Sequence, residues 1–364
     1  MYTYKKLFTS AVVVALGIGV ATSAMAEQYT LRIGAGHAGG VSLEGGSSVY
    51  TAAMQHFFQP EVIRRVNEET EHEVRFIEGY GGTIAGVDGT LEAIESGILD
   101  IGGYCTCFEM SKLFLHNFPY FVPFSTGDAE QAIHAARRVY DQNPELTDVL
   151  ESSYKQKLLG LSGYDNYHLG TTMDWDEVSD LEGVKIAGAG PNLPWLEFVG
   201  AVPVQSSLPD AYLAMQTGVY DGWIMFPSAW LGFKLYEAAP RFSLIGFGAM
   251  ATNVLTINNR TWEKLPEDVR AIIAEVGREY ESLSGTLLNQ RQKSDLASLE
   301  ELGSRVTPVG DKLRTDWANA LSNFPNEMAT EANTRKMPGS KVIKDYIEAV
   351  ELEGYSYPVA YTVD

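Results

Sequence analysis

The chain has 364 residues, a formal net charge of −20 and two cysteines. That length exceeds what one hydrophobic core usually fills, so two domains are expected. So acidic a surface argues against nucleic acid or anionic lipid as a partner, and two cysteines are too few for a disulfide framework.

Lys5 and Lys6 precede an apolar stretch, Ala11 to Ala21, and the small-x-small triplet Ala24-Met25-Ala26. This order is a secretory signal peptide cut after Ala26. Its loss removes two lysines, leaving 338 residues from Glu27 to Asp364 at a charge of −22. No later apolar run approaches the roughly 20 residues that a spanning helix needs.

Tyr29 to Gly36 reads as a strand running into glycines. Ser47 to Phe58 is helical, Pro60 breaks the helix, and Glu61 to Thr70 resumes it. Glu73 to Ile77 alternates as a strand, Thr90 to Ser96 is a short helix, and Ile98 to Tyr104 is a third strand. This βαβαβ order is half of a doubly wound α/β domain. Gly34, Gly36 and Gly39 satisfy GxGxxG after a strand. The first acid at the end of a following strand is Glu78, 42 residues past Gly36, whereas a ribose-binding acid belongs about 20 residues on. The glycines are better read as letting backbone approach a small ligand. Cys105 and Cys107, two apart on one strand, would make a strained bridge and read as core thiols beside a cleft.

Helices are expected at Asp128–Asp141 and Pro144–Tyr154, then a strand at Lys157–Gly163. The stretch from Pro203 to Trp230, PVQSSLPDAYLAMQTGVYDGWIMFPSAW, is the most informative. Ser207 can cap a helix opened by Pro209 and Asp210, and Gly218 supplies its stop. Tyr220 to Met225 is a strand and Pro227 opens the next helix. That strand delivers Trp223 and Phe226 to a βα turn, the edge at which open α/β sheets bind ligands. Thr252 to Asn258 is one more strand. From Pro266 to Leu302 runs an amphipathic pattern that spans over about 50 Å as a helix.

Leu213 to Gly222, LAMQTGVYDG, closely resembles the "LQTGVVDG" signature of the solute receptors of tripartite ATP-independent periplasmic (TRAP) transporters. Gly97 to Gly102, Asn117 to Pro123, Leu181 to Ile186 and Asn259 to Pro266 are similar to further motifs of that family, in the same order. The resemblance implies a two-lobed α/β periplasmic binding protein, hinge-linked, with the long helix as a spine across both lobes. It implies lobe I at 27–154 plus about 246–275, and lobe II at 155–245 plus about 276–364. It also implies membrane permease subunits as partners and a small organic solute as ligand, an organic acid with an aromatic or apolar body among the candidates.

The candidate ligand contacts are His37 in the glycine turn, Tyr104 and Cys105 after the third strand, and Tyr164, Asn166 and Tyr167 after the first strand of the second lobe. Gln205, Ser206, Trp223 and Phe226 complete the set. Trp195 and Trp230 sit on helices and are expected in the core. One departure from the family matters. The arginine that clamps a ligand carboxylate in relatives falls at Ala187, so affinity for four-carbon dicarboxylates is not expected. Arg32, Arg75 or Arg241 could replace it by reaching the cleft. The histidines show no metal-ligand spacing, no nucleophile has an activating partner, and no cofactor is implied. An exported enzyme or a sensory receptor using the same cleft are the alternatives.

Overall fold

The computed structural model of the protein describes residues 27–364 apart from 46, 47, 198 and 207. The expected signal segment, and Ser207 as a helix cap, lie outside the described residues.

The strands form two sheets. The first has β1 (Gln28–Ala35), β2 (Glu73–Gly79), β3 (Ile101–Cys105) and β4 (Gln156–Tyr164). The second has β5 (His168–Thr171), β6 (Lys185–Gly188), β7 (Val202–Gln205), β8 (Gly222–Met225) and β9 (Arg241–Leu244). The chain then returns to the first sheet as β10 (Met250–Asn258) and reaches the second once more as β11 (Arg305–Pro308). The sheet orders are β2-β1-β3-β10-β4 and β11-β9-β5-β8-β6-β7.

In the first sheet β1 runs parallel to β2 and β3. In the second, β6 runs parallel to β7 and β8. Each sheet therefore has a point where strand order reverses, between β1 and β3 and between β6 and β8. Connections there leave toward opposite faces and open a crevice at the strands' carboxyl ends.

Three features differ from expectation. Pro60 does not break the first helix. Val49–Ala53 passes through a π turn, Met54–Phe58, into Gln59–Glu69. The proline has no N–H to place, and the widened turn ahead of it relieves the clash with the preceding carbonyls. Second, β4 pairs with β10 in the first sheet, so it does not open the second lobe. Third, the last helix, Gly339–Leu352, packs on Ala129–Gln142 beside the first sheet, not in the second lobe. Val342, Ile343, Tyr346 and Ala349 bury its apolar face, and Asn143 donates to Asp345 across the contact.

The long pattern is one helix, Glu267–Glu301. It lies along β4 and Ala129–Gln142, then reaches Pro227–Gly232 and β11 in the second lobe. Glycines bring it close: a Cβ on Gly277 would lie 2.5 Å from the Leu159 carbonyl oxygen. Glu281 accepts from the Leu161 backbone N–H at 2.9 Å and pairs with Arg137, tying helix and sheet together.

Three further crossings join the lobes: 164–168, 244–250, and the return from the second lobe to the last helix after β11. The first two lie together. They are bonded side by side through Tyr167 N–H to Gly248 O and Phe247 N–H to Tyr167 O, each 3.0 Å. Gly246 and Gly248 hold φ of +74° and +117° there, which a side chain would resist.

Candidate functional site

A cavity of about 380 Å³ lies where the two reversal points face each other. From the first lobe come the turn Gly36-His37-Ala38 after β1, and Val87, Cys107 and Phe108. From the second come Ala189 after β6, Ser206 and Leu208 after β7, and Trp223 to Phe226 on β8 and its end. Tyr164 and Tyr167 enter from the crossing between the lobes.

The glycine turn is shaped by close approach. A Cβ on Gly34 would lie 2.2 Å from the Gly79 carbonyl oxygen, and one on Gly36 would lie 2.3 Å from the Val87 nitrogen. Only glycine lets the segment after β2 fold down over the end of β1. His37 is thereby held with Nδ1 2.8 Å from the Tyr50 hydroxyl. Tyr50 is buried and its phenol proton needs an acceptor, so it donates to Nδ1 and leaves the imidazole N–H on Nε2. Burial lowers the His37 pKa to about 4, so the ring is neutral near pH 7.

The opposite wall is aromatic. Tyr164 and Phe226 stack at 4.7 Å and 17°, and Tyr167 meets Phe226 edge-on at 5.1 Å. The Tyr167 hydroxyl is bonded to that of Tyr120 at 2.8 Å, which fixes the ring. Trp223 is in register with Ala187 on the neighbouring strand β6. In-register side chains of adjacent strands share a sheet face, so the small methyl at 187 leaves room beside the indole.

Of the expected contacts, His37, Tyr164, Tyr167, Ser206, Trp223 and Phe226 line the cavity. The other four do not. The Tyr104 hydroxyl is engaged by Gln156 inside the first lobe. Asn166 accepts from the Gly248 N–H at 2.9 Å, while its own N–H donates to Gln292 at 2.8 Å, so it secures the hinge. Gln205 is exposed at the end of the edge strand β7.

Cys105 is bonded to Cys107 as a disulfide, which corrects the reading of two core thiols. An extended strand would hold them about 6.6 Å apart. A 3-10 turn at Thr106–Phe108 brings the Cα atoms to 5.1 Å, within bridging reach. Cys107, on the far side of the bridge, is the half that lines the cavity. Neither Cys107 nor Phe108 was expected at the site, because the turn that swings them in has no glycine or proline to announce it. Val87 and Phe233 were missed for a similar reason: both come from outside the strand ends.

None of the three arginines considered as substitutes reaches the cleft. Arg32 is engaged by Asp100 and the Gly97 carbonyl, Arg75 pairs with Glu73, and Arg241 pairs with Asp174 and Asp176 over the Trp175 ring. The expected core tryptophans, Trp195 and Trp230, are fully buried.

Asp165 sits behind the aromatic wall at the start of the crossing. It accepts from the Ser228 N–H at 3.2 Å and the Ser228 hydroxyl at 2.8 Å. Burial raises its pKa from 3.8 to about 7, and the Ser228 bonds only partly offset this. The folded protein therefore holds a proton that the unfolded chain releases near 3.8. The stabilising contribution is complete below that value and is lost as pH rises through about 7. Asp165→Asn should accordingly gain melting temperature relative to the parent between pH 5 and pH 8. A difference that stays constant over that range would show the carboxyl to be ionised throughout.

Two α/β lobes, repeated crossings and one cavity shared by two reversal points define a hinge-linked binding protein. The chain belongs to family 7 of the bacterial extracellular solute-binding proteins, whose model matches residues 46–332. It is 28% identical over 147 residues to a solute-binding protein of Albidiferax ferrireducens, covering 39% of this chain and 43% of that one. It is 26% identical over 132 residues to the C4-dicarboxylate-binding periplasmic protein DctP of Rhodobacter capsulatus, covering 36% and 39%. The chain thus spans less than half the length of these two curated relatives.

The fold extends further. A marine metagenome TRAP solute-binding protein, specific for aromatic acids and solved with 3-hydroxybenzoate, superposes with a TM-score of 0.77 at 17% identity over 90% of this chain and 99% of that one. A TRAP solute-binding protein of Rhodoferax ferrireducens with bound benzoate gives 0.77 at 17% over 89% and 98%. One from Desulfovibrio salexigens gives 0.75 at 18% over 90% and 98%.

Proposed function

We propose that the chain is the periplasmic receptor of a TRAP transporter, exported by its N-terminal signal. It captures one small organic solute between its lobes and passes it to membrane permease subunits. The observation that carries this reading is the position of the cavity: both reversal points and the interlobe crossing contribute to its wall. A solute touching both walls favours the closed arrangement by its differential affinity for it. A receptor needs no reacting group, and the site residues serve to shape and orient. His37 is a neutral hydrogen-bonding group, and the Tyr164–Phe226 stack is a flat apolar face.

The test is a thermal-shift screen of the mature chain over organic acids, aromatic acids, betaines and sulfonates. A true ligand at 100 times its dissociation constant stabilises the fold by about 2.7 kcal/mol. Compounds with a ring or apolar body should do so, and be recovered chemically unchanged. Succinate, malate and fumarate should not, because two carboxylates would lose water without a fork-shaped cationic partner. Recovery of a converted compound would favour the exported-enzyme reading instead.

A further inference from the structure

Arg314 lies on the helix Asp311–Ala320, which follows β11 and packs on residues 178–181, so it moves with the second lobe. Trp317 on the same helix donates its indole N–H to the Trp195 carbonyl at 3.1 Å, a second tie to that lobe. The Arg314 guanidinium is half-buried, and its hydrogen bonds go to oxygens that carry no formal charge. Nε donates to the Ile245 carbonyl at 3.1 Å, while Nη2 donates to the Gly246 carbonyl at 3.1 Å and to the Tyr355 hydroxyl at 2.9 Å. The guanidinium carbon also lies over the Phe124 ring, 5.4 Å from its centroid.

These partners belong to different bodies. Ile245 and Gly246 sit at the second-lobe end of their crossing, where the Gly246 N–H donates to His168. Tyr355 and Phe124 belong to the first lobe. Tyr355 follows the last helix, and its hydroxyl donates to the Phe124 carbonyl at 2.7 Å. Phe124 is fully buried at a φ of +56°, a left-handed conformation that a bulky residue keeps only when its surroundings impose it. The Tyr361 hydroxyl donates to the Pro123 carbonyl at 2.5 Å, so the C-terminal segment is fixed here twice. A rotation about the crossings carries Arg314 with Ile245 and Gly246 and leaves Tyr355 and Phe124 behind. The Arg314–Tyr355 bond and the ring contact therefore depend on the angle between the lobes, although neither residue lines the cavity.

We infer that Arg314 and Tyr355 form a latch across the hinge, which favours the arrangement in which both lobes wall the cavity. A hydrogen bond from a cation is about twice as strong as one between neutral groups. Losing the Tyr355 hydroxyl also strips the Phe124 carbonyl of its donor, and an unmet buried polar group costs more than the bond itself contributed. The C-terminal segment, remote from the solute, thereby helps to set closure. The inference goes beyond the receptor reading and is tested without a ligand.

Asn67 is exposed on Gln59–Glu69 in the first lobe, and Gln216 is exposed at the end of Leu208–Gln216 in the second. Nitroxides on Asn67→Cys and Gln216→Cys report the lobe separation by pulsed electron–electron double resonance of the ligand-free mature chain. The native cysteines are occupied by their disulfide. Tyr355→Phe keeps the ring and removes the hydroxyl. The ratio of the short separation, that of the arrangement described above, to longer ones should fall about tenfold. Arg314→Gln should lower it as well, and the double variant should shift it no further than Arg314→Gln alone, since both break one bond. Tyr361→Phe, which loosens the same segment without touching Arg314, should leave the ratio unchanged. An unchanged ratio in Tyr355→Phe, a shift toward shorter separations, an equal shift in Tyr361→Phe, or a parent with no short separation would each overturn the latch. All four would leave the reading of the cleft as a receptor site standing.

Discussion

Trp223→Ala should weaken binding of the best ligand by about 2 kcal/mol or more, roughly 30-fold. The indole is buried, lines the cavity and is braced edge-on by Tyr220 at 5.6 Å, so its truncation opens a hole in the wall the solute rests on. The same substitution should lower folding stability by about 3–5 kcal/mol, because a buried tryptophan leaves a cavity that its neighbours fill only in part. A control separates the two effects. Trp230 is equally buried, packs on Phe242 at 5.3 Å and does not line the cavity. Trp230→Phe should lower the melting temperature without changing affinity, measured by calorimetry well below both transitions. Tight dicarboxylate binding that survives Trp223→Ala would show that Ala187 had been given too much weight.

The second large effect is expected far from the cleft. Gly277→Val should destabilise the protein by about 3 kcal/mol, the upper end for overpacking. Its first side-chain atom would meet backbone, the Leu159 carbonyl, which cannot turn aside as a side chain could. The spine helix would have to lift off β4, disturbing the Glu281 bond to Leu161. A fall of roughly 4 °C in melting temperature should follow. Gly310→Ala is the matching control: its Cβ would meet open space at φ −69°, and a change within about 0.5 kcal/mol is expected. Equal melting of both variants would mean that the helix is not clamped on the sheet at Gly277.

Local signals account for what was readable before the structure. The cap at Asp128, the positive φ at Gly218 and the proline opening Pro227–Gly232 each mark a boundary through backbone chemistry that depends on one residue. Strand ends could be found the same way, and with them His37, Trp223 and Phe226. What could not be read depends on long-range pairing. Nothing in the residues of β4 states that its partner is β10, some 90 positions later, so the sequence assigned the strand to the wrong sheet. Asn166 looked like a contact because it follows a strand, yet its hydrogen bonds go to Gly248 and Gln292 on two distant segments. The disulfide was misjudged because a strand was assumed to continue where a 3-10 turn begins.

The central claim is that a solute held between the lobes closes them, and small-angle X-ray scattering of the mature chain tests it most directly. The hinge is built for such motion, with two glycines at positive φ in one crossing and a short bonded pair of segments between the sheets. With the best compound from the thermal screen at saturation, the radius of gyration should fall measurably below that of the ligand-free protein. A ligand that stabilises the fold yet leaves the radius of gyration unchanged would contradict capture by closure.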